Sequence, residues 1–598
     1  MASYASRLIF PALLACLLCL DSRAEAQDEI PEIDVVDLVM FDDPKFKFPE
    51  PRFEIPTDPI RVWMSALQRA EDTELQRVTL DTLSIAKRLG MEGLDAFKPT
   101  LIELLSREEL DLSVRRSAVS VMIHLDAREE ASLLAKQAEQ YGEPIAEIVE
   151  SALASWQSGE LQDRWLQRVQ EGQSGRRSLI RGAEGLGALK AVEAAKPLTQ
   201  LVENDGAAMG IRLAAARALG RIPFEDQLSL ADRLVSSAKT DVLRGVMAVA
   251  VLDDRDDASA VDSLKPLVAN RSSAVQAEAL RALYEVDPLL PLEFVEAEIQ
   301  NGDVNVRRPL ARSMVRSHDA KWVETLASLL NDVNPSLRRE VAASMVYLAN
   351  EHGLRDEVVA EASRVIARNE WRGCEQATIV LVNLEIKEIG DRLVQLMDHP
   401  RGEVQVTAAW GLRRFALEEH LPAMLRRGKQ VYAGFRNGEL NLNTPGAEQL
   451  ITQLFMAFGQ MRYSESEGLI RDYLPKDFSL GDDARTAAAW AIGFLHEGKA
   501  TPDVTAILLG RLNDVTSTFA EISPVRAMAA ISLARMKSEA AVPDLRQYMF
   551  GDGSHTDQAC GWAIEQLTGE PKPPVRLGPL TKHNKWFLAP LQDGDDAE

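Results

Sequence analysis

A short motif returns about every 32 residues along most of this chain, and a fixed period of that length constrains the fold more than any other feature. An apolar residue, usually followed by Arg, opens a stretch with apolar or small residues at helical spacing. Val114 with Arg115, Ile211 with Arg212, Leu243 with Arg244, Val306 with Arg307, Leu337 with Arg338 and Val525 with Arg526 are the clearest copies. An anchor placed after the apolar residue falls at 76, 115, 147, 179, 212, 244, 276, 307, 338, 372, 405, 448, 485, 526 and 558. Eight of these fifteen positions are Arg (the six above, Arg372 and Arg485), and from 115 to 405 every step is between 31 and 34 residues. One continuous array, not several domains, follows from that regularity.

The stretch after each anchor has a single apolar face. Counting from Ile211, positions three, four, seven, eight and eleven residues on are Ala214, Ala215, Ala218, Leu219 and Ile222. This is the period of one helix face, and its small residues let neighbouring helices approach closely. A second apolar helix precedes each anchor and in several copies opens with proline, as at Pro99, Pro197 and Pro543, where the missing N–H costs nothing. Asp111, Asp241, Asp303 and Asp483 stand between the two helices, where an acidic side chain caps the second. Each repeat is therefore two antiparallel helices, and the chain is predicted to be all-α, an α-solenoid superhelix of about 15 two-helix repeats.

The pattern resembles HEAT repeats, in particular the short phycobilisome-lyase-like variety, and with its leader the chain looks like an exported bacterial member. The resemblance rests on the first-helix proline, the inter-helix Asp, the apolar–Arg pair and the strings TAAWGL (407–412), TAAAWAIG (486–493), AAARALG (214–220) and ACGWAI (559–564), and it covers roughly residues 61–570. It implies that the repeated arginines are structural and tie adjacent repeats in a polar ladder. It implies no particular function, because scaffolds, transport adaptors and a few enzymes share the repeat.

The ends fall outside the period. Residues 1–26 read as a signal peptide: Arg7, a 13-residue apolar run over 8–20, then Ala24, Glu25 and Ala26 as a cleavage site. The run is too short to span a bilayer, and no other segment is long and apolar enough. A lipid anchor at Cys16 is the rival reading. Export to a periplasm, a cell surface or the medium is expected. Residues 27–60 form an extended Pro/acidic lead-in whose Val39, Met40, Phe41 and Phe53 are expected to dock on the first repeat; 571–598 form a second extended tail, with Trp586, Phe587 and Leu588 placed to cover the last repeat. Cys374 and Cys560, about five repeats apart, are too distant to pair and read as buried apolar side chains.

The formal charge of −24 makes nucleic acid a poor partner and basic proteins or cations better ones, alongside plain solubility. The segment GFLHEGKA (493–500) lacks the strand and the Ser or Thr of a phosphate loop, and no zinc or haem motif groups the histidines. Asp253, Asp254, Asp256 and Asp257 crowd a turn without the calcium-loop pattern. No catalytic residue, cofactor or metal site is predicted. After 405 the period loosens to steps of 43, 37 and 41, read as grown loops, and insertions on solenoids often mark the binding face. Residues 424–436 hold Arg426, Arg427, Lys429, Tyr432, Phe435 and Arg436, a basic and aromatic candidate contact. The favoured function is a non-catalytic exported scaffold for protein–protein interaction or assembly. The alternatives are an anionic-ligand or polysaccharide binder using 424–436 and, last, a lyase-like chromophore-attachment factor.

Overall fold

The computed structural model describes residues 30, 32–46, 59–69, 71–172, 174–238, 241–515 and 518–574. The leader at 1–26, Phe53 and Trp586–Leu588 lie outside them. The described residues contain thirty α-helices and no strand, and the helices fall into fifteen consecutive pairs, from Pro59–Gln68 with Thr73–Arg88 to Val542–Gln547 with His555–Thr568. They divide into two compact units. One holds the residues up to Pro44 with His318–Lys537, the other Lys45–Ser317 with the residues from Ser538 on.

The second helix of each pair carries the small-residue face. In Met209–Arg221 the residues Ile211, Ala214, Ala215, Ala218 and Leu219 are all buried. A methyl group at Gly220 would lie 2.2 Å from the Ala250 carbonyl oxygen, so only glycine lets this helix meet Val242–Leu252 so closely. The second helices start where capping side chains stand: Asp111 accepts from the Ser113 N–H at 2.8 Å, Asp241 from Arg244 at 3.3 Å and Asp303 from Asn305 at 2.9 Å. Asp483 departs from the expectation. It lies inside Asp482–Leu495, whose cap is Gly481, and its N–H donates to Glu448 Oε1 of the preceding repeat at 2.8 Å. Burial pushes the Glu448 carboxyl above its ordinary range.

Second helices end in a recurring way that the composition hides. Among the described residues, eight other than glycine have positive φ: Asp126, Gln157, Lys190, His318, Glu385, Ala416, Arg462 and Lys537. Each follows a second helix. Beyond five of them the chain bonds back five residues into the helix, as from Ala127 N to Met122 O at 3.1 Å and from Ser158 N to Leu153 O at 2.9 Å. These are Schellman closures, which satisfy orphan carbonyls and so offset the left-handed backbone.

The anchor side chains do similar work at the end of the first helix. Gln76 Nε2 donates to Leu67 O at 2.7 Å, Arg115 Nη1 to Leu105 O at 2.9 Å, Arg212 Nε to Val202 O at 3.0 Å and Gln276 Nε2 to Val268 O at 2.8 Å. Arg338 Nη1 reaches Asp332 O at 2.8 Å and Arg526 Nε reaches Leu512 O at 2.9 Å, and Arg307 donates to Asn301 O. These carbonyls stand at or just past the last turn of the first helix, where no backbone donor remains. These carbonyl bonds lie within a repeat, whereas the resemblance implied ties between repeats. Several anchors make that second kind as well: Arg115 Nη1 donates to Gln137 of the next repeat at 2.6 Å, Gln276 Oε1 accepts from Asn301 at 2.8 Å, Arg244 lies 2.8 Å from Asp205, and Arg485 grips both oxygens of Glu521.

Arg372 is not an anchor. It lies over the Trp371 ring at 4.7 Å. The anchor's place belongs to Cys374, whose N–H donates to Glu370 O as that of Arg115 does to Asp111 O. A thiol is too short to do all of an arginine's work, so Cys374 Sγ approaches Arg368 O at 3.0 Å and Arg392 of the next repeat supplies a donor to Ile366 O at 3.0 Å. Cys374 and Cys560 are both buried free thiols.

The loosening after 405 lies partly in a helix and not only in loops. Residues 424–436 belong wholly to the first helix Leu421–Asn437, of 17 residues, against 7 in the preceding first helix Gly390–Leu396. The lead-in departs further from expectation. Its residues 34–43 bond not to the first repeat but to second helices between Trp371–Asn383 and Ser523–Arg535.

Candidate functional site

Five consecutive second helices of one unit, Trp371–Asn383, Gly402–Phe415, Ala447–Gln460, Asp482–Leu495 and Ser523–Arg535, each offer a polar side chain to the lead-in. Asn383 makes a two-way contact with the Asp34 backbone: its Oδ1 accepts from Asp34 N and its Nδ2 donates to Asp34 O, both at 2.8 Å. Arg414 donates to the Asp34 carboxylate at 2.6 Å. On the next two helices Arg413 pairs with the Asp37 carboxylate and Gln453 Nε2 donates to Asp37 O at 2.7 Å. Gln453 Oε1 in turn accepts from Arg413 Nε at 2.9 Å, which fixes both side chains. Farther on, Trp490 Nε1 donates to Asp43 O at 3.2 Å, and Arg535 lies 2.7 Å from the Asp43 carboxylate. The segment thus runs in the same direction as the repeats. Its Met40 is fully buried, while Val35 and Val36 face outward.

The two sides of this contact differ in burial. The side chains of Arg413 and Arg535 are 2% and 9% exposed, those of Asp37 and Asp43 42% and 46%. Burial holds both guanidinium groups below their ordinary range, and the facing Asp37 and Asp43 carboxylates pull the other way. Arg535 also stacks 3.9 Å from the Phe494 ring centre and keeps a buried Nη1 without a hydrogen-bond partner. A buried cation without an opposing charge is strongly destabilising, so the row calls for an anion at both points. Segment 34–43 could not be placed from sequence, because it and its partners are 349 to 492 residues apart. The one usable signal was its composition of acids and apolar residues.

The basic and aromatic residues of 424–436 are arranged otherwise. Arg426 and Lys429 are exposed, but Arg427 is 3.5 Å from Asp398 and Arg436 is 2.7 Å from Asp477. Tyr432 packs on Tyr473 with ring centres 5.5 Å apart, and Phe435 is half-buried. The acidic turn at 253–257 is also engaged: Asp253 pairs with Arg281 at 2.7 Å, and Asp257 caps Ala258–Val268. Among the described residues no group of three or more His, Cys, Asp or Glu is placed to hold a metal ion. No helix among them is long and apolar enough to cross a membrane.

Comparison with known proteins agrees with this architecture. Residues 525–550 match the family described as PBS lyase HEAT-like repeat. No curated protein matches the chain significantly. Among solved structures the chain is similar to the one described as "Kap95p Binding Induces the Switch Loops of RanGDP to adopt the GTP-bound Conformation", with a TM-score of 0.52 and 13% identity over 85% of this chain and 72% of that one. Yeast importin-beta (Kap95p) aligns with a TM-score of 0.45 and 14% identity, over 86% of this chain and 73% of the other. Identity this low speaks to fold alone, and the fold is that of a HEAT-type α-solenoid.

Proposed function

We propose that this chain is an exported, non-catalytic scaffold that binds extended segments of partner proteins along the second helices of residues 371–535. One observation carries the reading. This row of helices already holds an extended segment through main-chain and side-chain bonds together, from Asn383 to Arg535. Solenoid faces suit long, thin partners because each repeat adds one more contact along a line. Kap95p, in the structure of similar fold, binds RanGDP. The export part of the proposal rests on the charge, apolar run and cleavage pattern of residues 1–26.

Crosslinking followed by pull-down of the protein from its own cell envelope tests both parts. Specific proteins are expected with the unmodified chain and lost with Arg413→Glu plus Arg535→Glu, and the recovered bait is expected to begin at Gln27. Recovery of no protein, or of the same proteins with the double variant, would overturn the binding role. A bait that keeps residues 1–26 would overturn export.

A further inference from the structure

Residues 34–43 contact the row in a manner unlike the rest of the fold. Within the repeats, helices close on one another through glycine and alanine. Here the receiving side is a line of amide, guanidinium and indole donors (Asn383, Arg413, Arg414, Gln453, Trp490 and Arg535), and the held side is a segment without helical period. Glu32, Asp34, Asp37, Asp42 and Asp43 leave residues 32–44 with five acids and no basic residue. Five of the row's bonds, counting both from Asn383, go to or from the backbone of Asp34, Asp37 and Asp43, which any extended peptide offers. The carboxylate bonds select for acid three and nine residues after the first, and the burial of Met40 selects for a slender apolar side chain between the last two.

The pairing also has the energetics of an exchangeable contact. The Arg414–Asp34 pair, exposed on both sides, contributes little on its own. The buried guanidinium groups of Arg413 and Arg535, by contrast, cannot be left without an anion. Any departure of residues 34–43 is therefore favourable only if another acidic segment takes their place.

We infer that the row from Asn383 to Arg535 is a recognition groove for an extended acidic segment of another protein, and that residues 34–43 are its resident competitor. The inference rests on the binding role proposed above and adds to it the partner's chemistry and the way access is controlled. A partner segment carries carboxylates in the spacing of Asp34, Asp37 and Asp43 and an apolar residue in the place of Met40. It enters as residues 34–43 leave.

The test uses the full chain and a fluorescent synthetic peptide of residues 30–46. The unmodified chain is expected to bind the peptide weakly. Asp34→Asn, Asp37→Asn and Asp43→Asn together are expected to tighten binding at least tenfold, by weakening the resident segment. Adding Arg413→Ala and Arg535→Ala to that variant is expected to reverse the gain, and a lysine-rich peptide of equal length is expected not to compete. Equal peptide affinity for the unmodified and triple-variant chains overturns the inference, as does competition by the lysine-rich peptide. Should the triple variant not fold, hydrogen exchange on the unmodified chain decides. The amides of 34–43 are expected to exchange many-fold faster than those of Ala447–Gln460, and faster again with excess peptide. Exchange of both only through a common global opening marks the segment as a fixed part of the fold and overturns the inference. Because the peptide is defined, this result is independent of whether the pull-down recovers a natural partner.

Discussion

Arg115 and Arg485 occupy the same step of their repeats, and both side chains are fully buried, yet they are neutralised in different ways. Arg115 is surrounded by neutral acceptors: the carbonyls of Leu105 and Arg107, the Gln137 amide, and the Tyr141 ring 3.7 Å away. Arg485 meets a carboxylate that is itself fully buried, with both Glu521 oxygens in contact and Arg511 sharing one of them at 3.0 Å. Glu521 sits at the end of the enlarged connection between Pro502–Leu512 and Ser523–Arg535, and its backbone approaches Asp514 at 3.0 Å. That insertion, which by its length alone read as a candidate binding loop, delivers an internal counter-ion. A break in a repeat's period is thus no sign of a ligand until the side chains it brings in are known.

The difference can be broken most severely at Glu521. Glu521→Ala leaves Arg485 buried without its anion and is expected to cost about 3–5 kcal/mol. Arg115→Met, which only orphans neutral carbonyls, is expected to cost about 1–3 kcal/mol. Urea unfolding of the two variants checks the order, and equal costs would mean that the carboxylate adds nothing to the step.

The same pair is expected to differ in response to acid. Burial pushes the Glu521 carboxyl up, but the Arg485 hydrogen bonds and charge outweigh it and hold the group below its ordinary range. A carboxyl depressed in the folded state contributes stability that is complete above its unfolded pKa of about 4.3 and is lost as pH falls through the folded value. The advantage of the unmodified chain over Glu521→Gln should therefore shrink between about pH 5 and pH 3, while the cost of Arg115→Met stays flat over that range. Unfolding titrations at several pH values would show it; a pH-independent Glu521→Gln difference would contradict the assignment.

The smallest effect is expected where an arginine pairs at the surface. Arg436→Ala breaks a half-exposed contact with Asp477 and should change stability by no more than about 0.5 kcal/mol. A larger loss in thermal unfolding would show that the Leu421–Asn437 helix is held through its exposed side.

Much of this fold could be read from the chain because a solenoid is built from local contacts. Helical spacing, capping aspartates and first-turn prolines all act within about 30 residues, and they placed fifteen helix pairs. The register failed at Arg372, because an arginine two residues before the true anchor masked Cys374, a residue with a different donor. The closures at Gln157, Lys190 and Glu385 were also hidden, since these are residues that usually avoid positive φ. The row that receives residues 34–43 was not visible. Arg413, Gln453 and Arg535 share no motif, and their common partner lies in a segment without a period. Overall charge was no guide either: a net −24 pointed to basic partners, whereas this row of an acidic protein is locally cationic.

The docking of residues 34–43 also has a consequence in time. The segment leaves the ribosome 349 residues before Asn383 and 492 before Arg535. At about 5–20 residues per second, it waits on the order of 20–100 s for the helices that receive it. The repeats can fold one after another as they emerge, each needing only its neighbour. Residues 34–43 cannot, so one of the first parts of the described chain to be made finds its place only after fourteen of the fifteen helix pairs have been made.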